Sequence, residues 1–308
     1  DALAEPGAYL LADVAGESLI VVRDKATLRA FYNVCRHRGT RLCDAARGTF
    51  SETIQCPYHA WTYALDGRLI GAPHMQGVDG FDKREHPLHA VAIATWEGFI
   101  FVNLAASPTP LARVLAPLAG RFDRFNLASL KVVRRIEYDV KANWKLILQN
   151  YNECLHCPTI HPELTTKLPY TSGANDLVEG PFLGGSMEIK APHQSATMTG
   201  RACALPLGDI PPGEPRGYYY AFFPTMMLSL HPDYAVYYTV WPKAPAESQV
   251  VCEWMVHPDA PTAPGYNIAD AEEFWDRTNR QDWRICEQSQ LGVSSRVYRP
   301  GPYSPRES

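Results

Sequence analysis

Cys35-Arg36-His37-Arg38-Gly39 and, after eighteen residues (38–55) beyond His37, Cys56-Pro57-Tyr58-His59 decide how this chain is read. Each box offers one thiolate and one imidazole, so together they supply four ligands. Two thiolates on one iron and two imidazoles on the other make a [2Fe–2S] centre whose potential lies above that of an all-cysteine cluster. A structural Cys2His2 zinc site is the bland alternative. Zinc fingers, however, separate a cysteine pair from a histidine pair carried on a helix, whereas each box here mixes the two types in strand-like surroundings. Iron-bound imidazoles keep a second nitrogen free, so His37 and His59 can face solvent or a partner where electrons leave. An electron carrier of this kind needs an acceptor.

Length and composition allow one in the same chain. At 308 residues and 34.4 kDa, with 46% hydrophobic and 20% charged residues, two globular domains are expected. A net charge of −4 and a pI near 6.2 give no footprint for nucleic acid or an anionic membrane. No stretch approaches eighteen consecutive apolar residues. Eight unevenly placed cysteines do not form a disulfide scaffold, and no signal peptide is legible, so a reducing cytoplasm is expected. The chain starts at Asp1 without Met, so a preceding segment and further internal loops are expected to be missing from the sequence as written.

Residues 1–105 read as short strands (8–14, 18–22, 28–34, 54, 61–65, 68–70, 91–94, 99–104) broken by Gly, Asp and Pro, an all-β unit with both boxes on loops at strand ends. Asp66-Gly67 predicts a two-residue type I′ hairpin. Ser107-Pro108-Thr109-Pro110 marks the boundary to a second domain, 106–308, beginning with a helix over 111–125. Beyond it come a strand (132–140), a helix (143–154), four strands (218–223, 226–231, 235–241, 250–256) and a long helix (269–290). This is an antiparallel sheet with helices, an α+β layout.

The second domain holds its own metal motif, Asn150-Tyr151-Asn152-Glu153-Cys154-Leu155-His156-Cys157-Pro158-Thr159-Ile160-His161. On a helix Glu153 and His156 share a face, and Pro158 is expected to turn the chain so that His161 returns past the helix end. Two facial imidazoles need a carboxylate to complete a 2-His-1-carboxylate triad, which leaves adjacent positions open on Fe(II) for O2. Asp282 is the choice by helical phase: Trp275, Thr278, Ile285, Cys286 and Ser289 fall at −7, −4, +3, +4 and +7. Glu272, Glu273, Asp276 and Glu287 fall off that stripe and read as a solvated face. Cys154 and Cys157 read as locally packed thiols in preference to a redox pair.

The chain resembles the catalytic alpha subunits of Rieske non-haem iron oxygenases over essentially its whole length. The resemblance rests on the two cluster boxes, on Asn150-x-x-Glu153-x-x-His156-x-x-x-x-His161, and on the run from Asn279 to Glu287 followed by Ser295-Arg296-Val297-Tyr298-Arg299-Pro300-Gly301-Pro302-Tyr303-Ser304. It implies an all-β Rieske [2Fe–2S] domain joined to a helix-grip catalytic domain, and a homotrimer in which one subunit's cluster reduces its neighbour's iron. Glu153 would then bridge His59 of one subunit and His156 of the next.

The resemblance also implies a reaction in which electrons from NAD(P)H pass through a separate flavin- or ferredoxin-type reductase and the cluster to mononuclear Fe(II), where O2 is activated. A nucleotide-binding Gly-x-Gly-x-x-Gly after a strand is absent, which agrees with a separate reductase. Glu at position 153, the Asn279-Arg280-Gln281-Asp282-Trp283 box and the Arg299-Pro300-Gly301-Pro302-Tyr303-Ser304 tail look like the branch acting on glycine betaine, choline, carnitine or stachydrine, by monooxygenation or N-demethylation. Ring faces hold quaternary ammonium groups, and Tyr220, Phe222, Tyr238 and Trp241 are the expected pocket residues. An aromatic-ring dioxygenase or aromatic demethylase is the alternative, and a pure electron-transfer Rieske protein a remote one.

Overall fold

A computed structural model describes residues 3–211 and 214–304, divided into two units, Asp1–Arg113 and Val114–Ser308. In the first unit the strands are β1 (Ala8–Val14), β2 (Glu17–Asp24), β3 (Thr27–Tyr32), β4 (Arg47–Thr49), β5 (Thr53–Gln55), β6 (Thr62–Ala64), β7 (Leu69–Gly71), β8 (Ala90–Trp96) and β9 (Phe99–Asn103). They form a six-stranded sheet in the order β4-β1-β2-β3-β8-β9 and a three-stranded sheet, β5-β6-β7. Alternation in β2 shows how both faces are used, since side chains of a strand point to opposite sides in turn. Ile20 and Val22 pack with Phe31, Ile54, Trp61 and Tyr63, while Leu19 and Val21 pack with Ala30 and Val91. Each such side chain contributes about 2 kcal/mol by leaving water. The first of these layers carries the small sheet; one ligand box links its β5 and β6, and the other follows β3 of the large sheet.

The turn at Asp66-Gly67 differs from the expected type I′. Gly67 alone has a positive φ (91°), its N–H reaches Ala64 O, and Ala64 N–H reaches Arg68 O. That is a type I turn closed by a left-handed glycine, the three-residue hairpin solution. Asp66 favours it by accepting from the Arg68 N–H at 3.0 Å. Gly67 is required twice over, because a Cβ there would lie 2.5 Å from the Phe31 ring.

The second unit begins with less helix than expected. α1 (Leu111–Val114) is a single turn, followed by 3-10 turns at Ala116–Leu118, Asp123–Phe125 and Leu127–Ser129. Pro117 removes a helical donor, and Gly120 and Asn126 adopt left-handed backbone at φ 73° and 47°. A seven-stranded antiparallel sheet then runs in the order β10-β16-β15-β14-β13-β12-β11. Its strands are β10 (Lys131–Val140), β11 (Ala174–Asp176), β12 (Phe182–Glu188), β13 (Arg216–Phe222), β14 (Met226–Leu230), β15 (Ala235–Ala244) and β16 (Glu247–Val256). β12 escaped the sequence reading because Gly184-Gly185 weakens a strand pattern; a Cβ on Gly184 would meet the Tyr220 ring at 2.1 Å.

The helices are α2 (Trp144–Tyr151), α3 (Cys157–Ile160), α4 (Pro162–Lys167) and α5 (Ile268–Val293). One face of the sheet, including Tyr138, Val236, Tyr238, Val240, Cys252 and Trp254, packs with Phe274, Trp275, Trp283 and Cys286 of α5 and with Ile147 and Leu148 of α2. The other face carries Tyr218 and Tyr220 against Phe125 and Phe122. Glu272, Glu273 and Asp276 on the outside of α5 pair with Arg134, Arg277 and Arg280. Among the described residues no helix is long and apolar enough to cross a membrane.

Candidate metal centres

The two ligand boxes fold into loops with the same backbone. Cys35 N–H reaches Thr40 O and Gly39 N–H returns to Cys35 O; Cys56 N–H reaches Trp61 O and Ala60 N–H returns to Cys56 O. The residue four after each cysteine is left-handed, Gly39 at φ 76° and Ala60 at φ 55°. Each loop thus aims its cysteine inward and its histidine outward. Cys35 and Cys56 are free and buried, whereas His37 is exposed and His59 half-buried. The imidazole centroids are 4.8 Å apart, and His37 stacks on Trp61 at 4.7 Å.

The surroundings suit thiolates. Burial pushes the Cys56 thiol up, and the backbone N–H groups of Tyr58 and His59 oppose this by donating to its sulfur. The Tyr63 hydroxyl lies 3.4 Å from Cys35 Sγ and accepts from Arg36 N–H at 3.1 Å, which leaves its own proton for the sulfur. Two buried sulfurs with N–H and O–H donors, below two outward imidazoles, fit a cluster held by mixed ligands.

At the second site the helix carrying the motif ends earlier than expected. Asn152 closes α2 by returning both its backbone N–H and its side-chain amide to Leu148 O. Glu153 and His156 therefore lie on a link and not on a shared helix face. Pro158 sits in the first turn of α3, and Pro162 opens α4, so His161 occupies the corner between two short helices. The contact expected between Glu153 and His156 forms nonetheless, with Glu153 Oε1 2.5 Å from His156 Nδ1. Glu153 is itself fixed by the Leu155 N–H, 2.6 Å from Oε2.

From α5, Asp282 reaches back across the unit. Its Oδ1 lies 3.3 Å from His156 Nε2 and 2.9 Å from His161 Nε2. Ligands in adjacent positions on a six-coordinate ion with bonds of about 2.1 Å are about 3 Å apart, so Asp282 Oδ1 already stands at ligand spacing from both imidazole nitrogens. Both imidazoles are oriented from behind: His156 Nδ1 donates to Glu153 and His161 Nδ1 donates to Gln281 Oε1 at 2.7 Å. Each Nε2 is left facing the shared centre. The Asn150 amide nitrogen, 3.3 Å from His156 Nε2, edges the same space.

The electrostatics ask for a cation. Burial disfavours charge on His156, yet hydrogen bonds to Asp282 and Glu153 outweigh it and raise the imidazole to about 9. Burial likewise works against the Asp282 carboxylate, and the two histidines hold it below its usual value. Two carboxylates that retain a proton on a buried imidazole would be better matched by a divalent ion.

Gln281 stood in the sequence reading only as part of the box around Asp282, with no site role; its signal was its place beside Asp282, where a side chain can reach the outer nitrogen of a ligand. Cys154 and Cys157, expected as packed thiols, form a disulfide. Cys157 Sγ belongs to a group with His156 and His161 whose ligand atoms lie within 4.8 Å of one another, but the bond to Cys154 removes it from the donor set. The expected pocket residues divide between faces. Tyr238 lies on the α5 side, its ring 6.0 Å from Tyr151 and its hydroxyl 3.4 Å from Asn279. Tyr220 and Phe222 point to the opposite face of β13, where Tyr220 bonds to Asp176. Trp241 is one residue out of phase with Tyr238 and Val240 and faces away from α5 as well.

The Rieske [2Fe-2S] domain family matches residues 2–82, and the catalytic domain of ring-hydroxylating alpha subunits matches residues 127–308. The chain belongs to the ring-hydroxylating oxygenase alpha subunits. Among relatives of this alpha subunit, the glycine betaine monooxygenase oxygenase subunit of Pseudomonas aeruginosa is 33% identical over 97% of this chain and 76% of its own length. The carnitine monooxygenase oxygenase subunit of Acinetobacter pittii is 39% identical over 52% of this chain and 44% of its own. The solved quaternary ammonium Rieske monooxygenase CntA in complex with L-carnitine matches the alpha subunit with a TM-score of 0.76 at 25% identity, covering 96% of this chain and 77% of that one. Naphthalene 1,2-dioxygenase from Rhodococcus sp. shares the fold, with a TM-score of 0.77 at 21% identity over 96% of this chain and 76% of its own. The two domains imply iron cofactors, with a [2Fe–2S] cluster in the first.

Proposed function

We propose that this alpha subunit monooxygenates a quaternary ammonium compound of the betaine type, releasing an N-methyl group as formaldehyde, with NAD(P)H electrons delivered by a separate reductase. The observation that carries the reaction type is the convergence of His156 Nε2 and His161 Nε2 on Asp282 Oδ1, at 3.3 and 2.9 Å. Glycine betaine and carnitine in the names of the relatives support the substrate class. Cys35 and Cys56 would hold one iron of the cluster, and His37 and His59 the other. His156, His161 and Asp282 would hold the mononuclear iron, which when bound supplies reductive O2 activation.

The chain's own residues supply the rest. Glu153 and Gln281 lock the two imidazoles from behind, so that a bound iron would be held by fixed ligands on one side. The aromatic rings of Tyr151, Tyr219 and Tyr238 cover the α5 side of the sheet, exclude water and offer π faces to a methylated ammonium. Glu153 is the proposed electron and proton contact between subunits of a homotrimer, joining its own His156 to His59 of the neighbour. The structure of one quaternary ammonium Rieske monooxygenase gave insights into inter-subunit electron transfer in that protein.

The test is turnover with a surrogate reductase, NADH and Fe(II) against glycine betaine, carnitine, choline and a set of arenes. Formaldehyde from an N-methyl betaine is expected. Hydroxylation of an arene with no turnover of any quaternary amine overturns the reading.

A further inference from the structure

On the α5 side of its sheet, the second unit holds a pair of buried polar side chains that nothing in the described protein satisfies. His231 follows β14 and is wholly buried, yet neither Nδ1 nor Nε2 has a hydrogen-bond partner. The hydroxyl of Tyr219, on β13, is buried and unpartnered too. The two residues are neighbours, with ring centroids 5.8 Å apart, and both approach Gly217. A Cβ on Gly217 would stand 2.8 Å from Tyr219 Oη and 3.3 Å from His231 Nδ1, so only glycine lets both polar groups come to this point. A buried donor without an acceptor costs about 1–3 kcal/mol, and a native protein keeps three such atoms together only where something else fills the need.

The surroundings say what that something is. His231 is walled by aromatic rings, stacked on Tyr234 at 4.5 Å and beside Trp275 at 5.3 Å, while Tyr219 meets Tyr151 at 6.5 Å. The other polar groups here are committed: the Tyr234 hydroxyl accepts from the Trp275 indole, and Tyr151 bonds to Ser229. The nearby carboxylate of Asp233 is turned onto Ser195 Oγ and Cys203 N–H. What remains is a pair of donors beside π faces. Trp275 precedes the iron ligand Asp282 by two turns of α5, about 10 Å along the helix axis.

We propose that Tyr219 and His231 bind the carboxylate of a zwitterionic betaine substrate, each donating one hydrogen bond, and so orient its ammonium end toward the triad. The inference rests on the function proposed above and makes it narrower. A quaternary ammonium held by rings alone is indifferent to what its other end carries. Two preplaced donors left unsatisfied by a ligand without an acceptor turn that indifference into selectivity for a carboxylate. Burial favours the neutral imidazole of His231, which holds it down at about 3 and leaves one N–H to donate.

Tyr219→Phe and His231→Phe remove the donors while keeping the volume aromatic, and Tyr220→Phe, on the opposite face of the same strand, is the control. Two measurements are made on each: KM for glycine betaine and for choline in the reconstituted system, and the melting-temperature shift given by each compound without turnover. Tyr219→Phe and His231→Phe are expected to raise KM and the apparent dissociation constant for glycine betaine about 10- to 100-fold, with choline changed less than about threefold; Tyr220→Phe should leave both compounds as in the parent. Equal losses for the two compounds, or no loss for the betaine, overturn the carboxylate site. A parent protein that neither binds nor turns over any quaternary ammonium overturns the functional reading itself, which separates the two failures.

Discussion

The two metal centres of this chain are built in opposite ways. The proposed cluster ligands come from two loops whose backbone bonds repeat residue for residue, each closed within six positions. The proposed mononuclear ligands come from a link, a corner between short helices and the middle of a 26-residue helix, and Asp282 meets His161 across 121 residues of chain. The first centre is local and faces outward through its histidines. The second is a tertiary object, drawn together by the packing of α2 and α5 against one face of the sheet. Local closure makes a ligand set readable and robust. Long-range closure makes it dependent on the core, and lets carboxylates and amides from distant elements tune it.

The largest expected effect separates the two. Asp282→Ala should abolish turnover and reduce iron from three to two per subunit, two in the cluster and one mononuclear being the full complement. The cluster's absorption should persist unchanged. Loss of the cluster chromophore in the same variant would break the view that the centres are built independently. Metal analysis and visible spectra on one preparation decide it.

Glu153→Gln sharpens the comparison at the proposed junction between centres. It keeps the volume and a hydrogen-bond acceptor for His156 but removes the negative charge. Steady-state turnover is expected to fall about 10- to 100-fold with all three irons retained. Single-turnover reduction of the mononuclear site from a pre-reduced cluster should slow by the same factor. Normal single-turnover rates would remove Glu153 from the electron path.

Acid should strike the second unit first. The folded-state pKa of His231 lies at about 3, below the ordinary value near 6.5, so the unfolded chain takes up a proton that the folded chain refuses. The contribution of His231 to stability is therefore full above pH 6.5 and falls by about 1.4 kcal/mol for each unit below it, down to about pH 3. Chemical denaturation of apo-protein between pH 7 and 5 measures the loss, and His231→Phe should flatten it. An unchanged slope in that variant would place the acid sensitivity elsewhere.

The smallest effect probes the repeat within the cluster loops. Ala60 occupies the left-handed position that Gly39 fills in the sister loop. Ala60→Gly should relieve about 0.5–1 kcal/mol of backbone strain, after the entropy that glycine adds to the unfolded chain is set against it. Thermal unfolding of the holo-protein reads the gain. A marked destabilisation would show that the two loops are alike in hydrogen bonds only.

Legibility in the sequence followed the same division. Cys35, His37, Cys56 and His59 sit in contiguous boxes, so spacing alone announces them. Asp282 was legible because a 26-residue helix gives periodicity room to speak, and its phase with Trp275 and Cys286 points one way. The pocket residues were not: Tyr220, Phe222 and Tyr238 are equally aromatic, and a strand's two faces differ by one residue of register. Gln281 and Asn150 stand inside quoted motifs that say nothing of what their side chains touch, and the Tyr219–His231 pair belongs to no motif. The Cys154–Cys157 bond was missed because spacing permits a disulfide without requiring one.

The sequence by itself determined the chemistry available to this protein, through the cluster boxes, the paired histidines, the acid on the long helix and the family they share. Only the tertiary structure decided which way that chemistry faces. Register and helix packing placed Tyr238 and Tyr219 on the α5 side of the sheet and Tyr220 on the other, and set Gln281 and Glu153 behind the two imidazoles. The reason is physical: ligand identity is a property of side chains, which the sequence states, whereas orientation depends on contacts between residues more than a hundred positions apart, which only burial in a common core enforces.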